Sequence, residues 1–134
     1  MPVDKLLEGL NDRQLDGVVT TDGPVLILAG AGSGKTRVLT YRTAYLIEKL
    51  GVEPYNIMAI TFTNKAAREM KKRISDIVGT SEAKNLWMGT FHSVFARILR
   101  SEAHLLGFPS NFTIYDSQDS LNVIRKVLKD LNID

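Results

Sequence analysis

A glycine-rich segment early in the chain contains the residues best suited to hold an anion. Residues 29–36 read Ala-Gly-Ala-Gly-Ser-Gly-Lys-Thr. Glycine lets a backbone wrap an anion closely, because no Cβ keeps the amide N–H groups away from it. In such a loop Lys35 would pair with the β- and γ-phosphates of a nucleoside triphosphate, and the Thr36 hydroxyl would bind Mg²⁺. We therefore predict catalytic roles for Lys35 and Thr36, and a metal-ligand role for Thr36. The predicted cofactor-binding residues of the loop are Ala29, Gly30, Ala31, Gly32, Ser33, Gly34, Lys35 and Thr36.

The elements around this loop favour the same interpretation. Residues 25–29 form an uninterrupted apolar run, which predicts a strand buried on both faces. A helix is predicted from Lys35 to Gly51, and its free N–H groups and dipole would attract the same phosphates. The usual motif begins with glycine, but Ala29 needs only an ordinary backbone conformation there, so we expect no loss of binding. The alternative is a glycine-rich turn followed by a chance Lys-Thr pair.

The rest of the chain alternates between predicted strands and helices. Strands are predicted at residues 57–62, 86–90 and 112–115, and helices at residues 11–19, 64–78, 93–106 and from Asp116 onward. Apolar strands that alternate with helices are typical of a parallel sheet covered by helices. The predicted fold class is therefore α/β.

Length and composition narrow the class of protein. The 134 residues are 44% hydrophobic, which is enough for one domain with its own core. The absence of cysteine excludes disulfide-stapled domains, zinc fingers and thiol nucleophiles. No apolar run is long enough to cross a membrane, and the first residues lack the pattern of an export signal. We expect a cytoplasmic protein without a membrane partner.

Positive charge is concentrated in one stretch although the formal net charge is only +2. Residues 61–73 carry five basic residues and one acidic residue, which points to a polyanion as partner. The helix predicted over residues 64–78 would have a core face and a basic face. The core face comprises Ala66, Met70, Ile74 and Val78. The basic face comprises Lys65, Arg68, Lys72 and Arg73.

Triphosphate hydrolysis needs more than the loop. A carboxylate must hold Mg²⁺, and a polar group must orient water, usually from an acidic pair at the end of another strand. The ends of the first three predicted strands carry no acid, and Asp116 after the last one is most simply a helix N-cap. The chain therefore carries only part of an ATP-hydrolysing site. We expect the carboxylate and the water-orienting group to come from a longer protein or from a partner.

Several separated blocks of the sequence resemble the N-terminal part of the UvrD/Rep-type superfamily 1 DNA helicases. Residues 10–14 are similar to the family's Q motif, and residues 28–37 to its nucleotide loop, including alanine at the first position. The resemblance implies that Gln14 reads the adenine edge and that Arg37 lies near the base. A glutamine amide can donate and accept at once, as adenine requires.

Two more blocks resemble segments that contact single-stranded DNA in that family. Residues 59–67 are similar to motif Ia, and residues 89–93 to the next DNA-contacting block. The DNA-binding residues implied by the resemblance are Phe62, Thr63, Asn64, Lys65, Thr90, Phe91 and His92. Three plainer interpretations stay open: Phe62 could fill the core, Thr63 could be an N-cap, and His92 could bridge backbone groups.

The resemblance covers essentially the whole chain and implies its fold and function. The fold would be an incomplete RecA-like P-loop NTPase, with residues 1–115 in the first RecA-like domain and residues 116–134 at the start of an inserted helical subdomain. The complete protein would be an ATP-dependent 3′-to-5′ DNA helicase of DNA repair or replication. Its partners would be ATP, Mg²⁺, single-stranded DNA and the rest of its chain, including a second RecA-like domain. This segment alone is expected to be inactive.

Two other functions compete with the helicase interpretation. A stand-alone module could hold nucleotide and single-stranded DNA without turnover, and no residue in the chain separates it from a helicase segment. A small-molecule kinase could use the same loop. It would leave the Thr-Asn-Lys block at residues 63–65 without a purpose.

Overall fold

The computed structural model describes Lys5 and residues 7–133. The chain divides into two compact units, the first extending to Phe95 and the second beginning at Ala96. The helices are α1 (Asp12–Val19), α2 (Lys35–Glu48), α3 (Asn64–Val78), α4 (Thr80–Asn85), α5 (Phe91–Glu102) and α6 (Ser117–Asp130). The strands are β1 (Met58–Thr61) and β2 (Trp87–Thr90), and short 3₁₀ helices span Pro54–Asn56 and Ala103–Leu106.

The first unit contains a parallel sheet, as the α/β prediction requires. β1 and β2 pair in parallel, with Met58 opposite Trp87 and Thr61 opposite Thr90. The connection between them runs through α3 and α4. Parallel neighbours need such a crossover, because the chain must return to the same end of the sheet. The prediction of parallel strands joined by helices is confirmed for this part of the chain.

The core of the first unit lies where α2, α3 and α4 cover the sheet. Apolar side chains from the three helices meet those that flank β1 and β2. The buried cluster comprises Ala44, Ile57, Met70, Ile74, Val78, Ala83 and Leu86. Ala66, predicted to join this face of α3, is exposed instead, because it lies in the first turn of the helix beyond the reach of the cluster. The predicted positions of Met70, Ile74 and Val78 are confirmed.

Local signals define where the helices begin. Asn11 is the N-cap of α1, and Asp116 is the N-cap of α6 with its side chain accepting from the Asp119 N–H. Thr63 caps α3, since its side chain accepts from the Ala66 N–H. These caps satisfy N–H groups that the first turn of a helix leaves without an intrahelical partner. The predicted helix starts at these residues are confirmed.

The strand predicted at residues 25–29 does not form. Within the described residues this segment pairs with no strand, and the sheet contains only β1 and β2. One side of the segment faces the protein, with Ile27 38% exposed, whereas Leu26 and Leu28 are 84% and 87% exposed. An apolar run becomes a buried strand only when neighbouring strands satisfy its backbone and a second layer covers its outer face. The prediction of burial on both faces is wrong for this structure.

The sequence predicts a face of Val38, Leu39, Arg42, Leu46 and Leu50 for the helix that begins at Lys35, and of these only Val38 is buried. The expected face included Leu39 and Leu50, which are 48% and 47% exposed. Thr40 and Thr43 are buried, and their hydroxyls donate to the backbone oxygens of Thr36 and Leu39. Such bonds satisfy a hydroxyl inside its own helix, so a polar residue can occupy the core face.

The second unit comprises the rest of α5, a 3₁₀ helix and α6. Residues 112–115, predicted as a strand, have no regular secondary structure and no strand partner among the described residues. The Arg100 guanidinium donates to the carbonyl oxygens of Ser110 and Phe112, at 3.2 and 3.3 Å, and lies over the Phe112 ring. These contacts hold the segment against its own helix rather than against a sheet. The strand prediction is wrong here as well.

Helix α6 has an amphipathic sequence without a buried face in this structure. None of its described residues is buried, and Leu121, Ile124 and Val127 are all exposed. The described helices include none with the length and apolar character of a membrane span. The boundary at residue 115 proposed from the sequence stays a prediction.

Candidate functional site

The glycine-rich segment forms a tight turn that leads directly into α2. Ser33 closes the turn, with its N–H and hydroxyl both bonded to the Gly30 carbonyl oxygen, at 3.4 and 2.7 Å. Gly32 and Gly34 have φ values of +74° and +86°, a region that side chains with a Cβ avoid. Gly34 is also the N-cap of α2 and has no side chain to satisfy the first N–H groups of the helix. A turn of this kind presents backbone N–H groups to an anion.

Lys35 and Thr36 lie at the start of α2, on the same turn. The Lys35 ammonium donates to the carbonyl oxygens of Ala29 and Gly30, at 3.0 and 2.8 Å, so it is folded back across the loop. Thr36 is exposed one residue further along the helix. An ammonium and backbone N–H groups are the hydrogen-bond donors that bind a triphosphate, and an exposed hydroxyl can be a ligand of its Mg²⁺. The residues present therefore fit that ligand.

Gln14 contacts the loop from the neighbouring helix α1. Its Nε2 atom donates to the Ser33 carbonyl oxygen at 3.0 Å, across nineteen positions of sequence. Its Oε1 atom accepts from the Asn11 N–H at 3.2 Å, while Asn11 caps the Gln14 N–H at 2.9 Å. This reciprocal pair is a capping box, which fixes the start of α1 and the direction of the Gln14 side chain. Folding thus brings Gln14 to the loop.

Arg37 lies on the side of α2 that faces α3. Its guanidinium carbon is 5.2 Å from the centre of the Tyr41 ring, one helical turn away. Both side chains line a cleft of about 330 Å³ to which Arg73 and Asp76 of α3 also contribute. The cleft is therefore lined by a planar cation from the first turn of α2. Tyr41 was not among the predicted site residues, although its i, i+4 spacing from Arg37 was a usable signal.

The ends of the two strands bring two aromatic rings together. Phe62 follows β1 and Phe91 follows β2, and their ring centroids are 5.7 Å apart at an interplanar angle of 42°. Phe62 is 91% exposed and Phe91 is 46% exposed. The interpretation of Phe62 as core filler is therefore wrong. Register explains the pairing, because Thr61 lies opposite Thr90 and each phenylalanine is the next residue.

Polar residues surround this aromatic pair. The Thr63 side chain accepts from the Ala66 N–H at 3.1 Å, which confirms the N-cap interpretation of that residue. Thr90 and Ser93 bond through their hydroxyls at 3.1 Å, and the Ser93 hydroxyl also bonds the Thr90 backbone. A Cβ on Gly89, in β2, would lie 2.4 Å from the Ser93 hydroxyl oxygen, so a larger residue there would displace that hydroxyl. Asn64, Lys65 and His92 are exposed beside it.

The outer face of α3 extends from this point as a row of basic side chains. Lys65, Arg68, Lys72 and Arg73 are all exposed, which confirms the predicted separation of core and basic faces. Arg73 forms an ion pair with Glu69, one turn earlier on the helix. An exposed pair of this kind contributes little to stability, so the row remains available to an anionic partner. The described residues contain no cluster of three acidic or histidine side chains that could hold a metal ion by itself.

Comparison with known proteins identifies a family. A family model described as the UvrD/REP helicase N-terminal domain matches residues 10–134. The chain is similar to the ATP-dependent DNA helicases PcrA of Staphylococcus aureus and Staphylococcus epidermidis, each 57% identical over 129 residues. These alignments cover 96% of this chain but 18% of each relative, so the chain spans about a fifth of the length of those proteins. Because the family model matches nearly all of its residues, the chain belongs to the UvrD/REP helicase family.

Proposed function

We propose that this chain is the ATP-binding and single-stranded-DNA-binding part of an ATP-dependent DNA helicase. The observation that carries the proposal is the turn at residues 30–34, which precedes α2 and holds the Lys35 ammonium on its carbonyl oxygens. Membership of the UvrD/REP helicase family supports it, as does the name of the PcrA relatives. The fold we propose is the RecA-like P-loop type, of which this chain supplies an incomplete part.

The nucleotide end of the proposal follows from the chemistry of the loop. A bound triphosphate would replace the Ala29 and Gly30 carbonyl oxygens as the acceptor of the Lys35 ammonium bonds. Bonds from an ammonium to a charged phosphate are stronger than bonds to a neutral carbonyl. Mg²⁺ would be held by the Thr36 hydroxyl and by phosphate oxygens. A bound Mg²⁺ would supply charge neutralisation of the phosphates during phosphoryl transfer. Residues 29–36 then act by binding and orienting the phosphates.

Adenine selection is assigned to Gln14 by counting its hydrogen-bonding groups. A glutamine amide has two N–H donors and two acceptor lone pairs. One donor is used on the Ser33 carbonyl oxygen, and one lone pair is used on the Asn11 N–H. One donor and one acceptor remain, which is the complement of an adenine amino group and its neighbouring ring nitrogen. We propose that Arg37 lies near the base, as the family resemblance implies.

The DNA end of the proposal rests on the aromatic pair and the basic face of α3. Bases of any sequence stack on aromatic rings, and a basic row follows the phosphates without reading sequence. Phe62 and Phe91 supply the rings, and Lys65 begins the basic row. We propose that Thr63, Asn64, Thr90 and His92 contact the DNA backbone. A motor that moves along DNA needs such sequence-independent contacts.

Finer properties of the whole protein are part of the same proposal. We propose 3′-to-5′ movement, a role in DNA repair or replication, and a second RecA-like domain that completes the ATP site. The domain boundary near residue 115 is also proposed. All of these follow from the family resemblance rather than from a distance or contact in this chain.

Binding of a fluorescent ATP analogue with Mg²⁺ tests the nucleotide assignment. We expect saturable binding by the folded chain, and a loss of about tenfold or more in affinity for Lys35→Ala, because a charged hydrogen bond to phosphate is removed. Lys84→Ala, at an exposed lysine of α4, is the matched control. Circular dichroism reports whether each variant is folded. Equal affinity of the wild type and Lys35→Ala, or no saturable binding by a folded sample, would overturn the assignment.

A further inference from the structure

Arg42 joins α2 to the far end of α1. Its Nη1 atom donates to the Gly17 carbonyl oxygen at 2.9 Å and to the Thr20 carbonyl oxygen. Gly17 lies in the last turn of α1 and Thr20 is its C-cap, and carbonyl oxygens at this end have no partner inside the helix. A guanidinium at this end is also favoured by the helix dipole. Arg42 therefore acts as a C-terminal cap supplied from another helix.

The same end of α1 is packed closely against its surroundings. Gly17 and Val18 are buried. A Cβ added at Gly17 would lie 2.9 Å from Ile27 Cδ1 and 3.1 Å from Val38 Cγ1. Because contacts below 3.4 Å require a neighbour to move, this glycine allows α1 to approach α2 at its present distance.

The opposite end of α1 carries Gln14, whose amide contacts the loop at Ser33. The helix has only eight residues, and Gln14 lies one turn before Gly17. A helix this short moves as a rod, so a shift at the Arg42 end is transmitted to the Gln14 amide. Selective hydrogen bonding tolerates displacements of only about 0.5 Å. The two ends of α1 are therefore mechanically connected.

We propose that Arg42 is a positioning residue for adenine selection. By holding the Gly17 and Thr20 carbonyls, it sets the distance of α1 from the loop and so the place of the Gln14 amide. This inference rests on the proposed adenine-reading role of Gln14. Arg42 is not among the residues to which we assign base or phosphate binding, so its removal should alter the choice of base more than phosphate binding.

The ratio of affinities for ATP and ITP reports that choice, because hypoxanthine replaces the adenine amino group with an oxygen. Fluorescent ATP and ITP analogues with Mg²⁺ serve as probes, and inorganic tripolyphosphate serves as a competitor that lacks a base. We expect Arg42→Met, which keeps the aliphatic stem, to lower the ATP-to-ITP ratio about tenfold. Its tripolyphosphate affinity should stay within about twofold of wild type. Arg125→Met, at an exposed arginine of α6, is the control and should change neither.

A second variant reaches the same end of the helix without removing a charge. Gly17→Ala adds the Cβ that meets Ile27 and Val38, so it should displace α1 and also lower the ATP-to-ITP ratio. It keeps the test decisive if Arg42→Met does not fold. Combining Arg42→Met with Gln14→Ala should lower the ratio no further than Gln14→Ala alone, because both act through one amide.

The outcomes separate this inference from the function on which it rests. If Gln14→Ala loses the preference for ATP but Arg42→Met and Gly17→Ala keep it, the positioning role is overturned and adenine reading stands. If both variants weaken ATP, ITP and tripolyphosphate equally, Arg42 is merely structural and the inference also fails. If Gln14→Ala keeps the preference, the adenine-reading role is wrong and the inference falls with it.

Discussion

Exposure of a large apolar ring is costly in water, and Phe62 is 91% exposed. Its only ring partner among the described residues is Phe91, at 5.7 Å, which leaves most of one face open. A ring held in this way at the end of a parallel strand suits stacking on a planar ligand. At the scale of single residues, this pair is the most direct support for DNA binding.

Replacing Phe62 with alanine should weaken binding of a single-stranded oligonucleotide by about 1 to 3 kcal/mol, the contribution of one stacked base. Fluorescence anisotropy of a labelled oligothymidine measures the change. Tyr55→Ala is the control, because Tyr55 is also exposed, at 60%, but lies in the 3₁₀ helix before β1, at the opposite end of that strand from Phe62. Unchanged affinity of Phe62→Ala would remove this ring from the DNA site.

Helix α3 combines three roles in fifteen residues. Thr63 caps its first turn, Met70 and Ile74 bury its inner face, and its outer face carries the basic row. The arrangement works because the cap and the 3.6-residue period are set by local sequence, so the basic side chains emerge opposite the core. At the scale of the element, stability and proposed DNA contact are carried by different residues.

We expect the Thr63 N-cap of α3 to contribute measurably to the stability of the fold. Thr63→Ala should lower the free energy of unfolding by about 1 kcal/mol, because the Ala66 N–H loses its partner. Thr63→Ser keeps the hydroxyl and should retain most of that stability. Urea denaturation followed by circular dichroism measures both variants. Equal stability of Thr63→Ala and the wild type would show that the cap contributes nothing.

The segment at residues 25–29 matters at the scale of the whole molecule, because it exposes apolar side chains that the neighbouring layers of a complete sheet would cover. Leu26 and Leu28 are exposed, and the segment pairs with no strand among the described residues. A segment that has no strand partner and exposes apolar side chains tends to pair with another chain. The same features would let it become a central strand when a neighbour is present.

We therefore expect the chain to form species heavier than 14.9 kDa as its concentration rises, measured by sedimentation velocity. The double variant Leu26→Lys/Leu28→Lys should restore the monomer, since each leucine gives up to about 2 kcal/mol when buried. Leu105→Lys/Leu106→Lys is the control, because these exposed leucines lie in a 3₁₀ helix. A wild-type monomer at all concentrations would contradict the expectation.

The sequence by itself determined the features that depend on neighbouring residues. The bounds of α3 and the caps at Asn11, Thr63 and Asp116 follow from side chains within one turn. Such local interactions need no partner elsewhere in the chain. The β1–β2 pair and its helical crossover were predictable for the same reason, from patterns inside each segment.

Only the tertiary structure decided which distant residues meet. The Phe62–Phe91 contact, the bond from Gln14 to Ser33 and the Arg42 cap on α1 each join separate elements, and no local pattern encodes their distances. The fate of residues 25–29 was decided in the same way. An apolar run indicates that burial is favourable. Strand formation depends on whether another strand is available to hydrogen-bond with its backbone N–H and C=O groups.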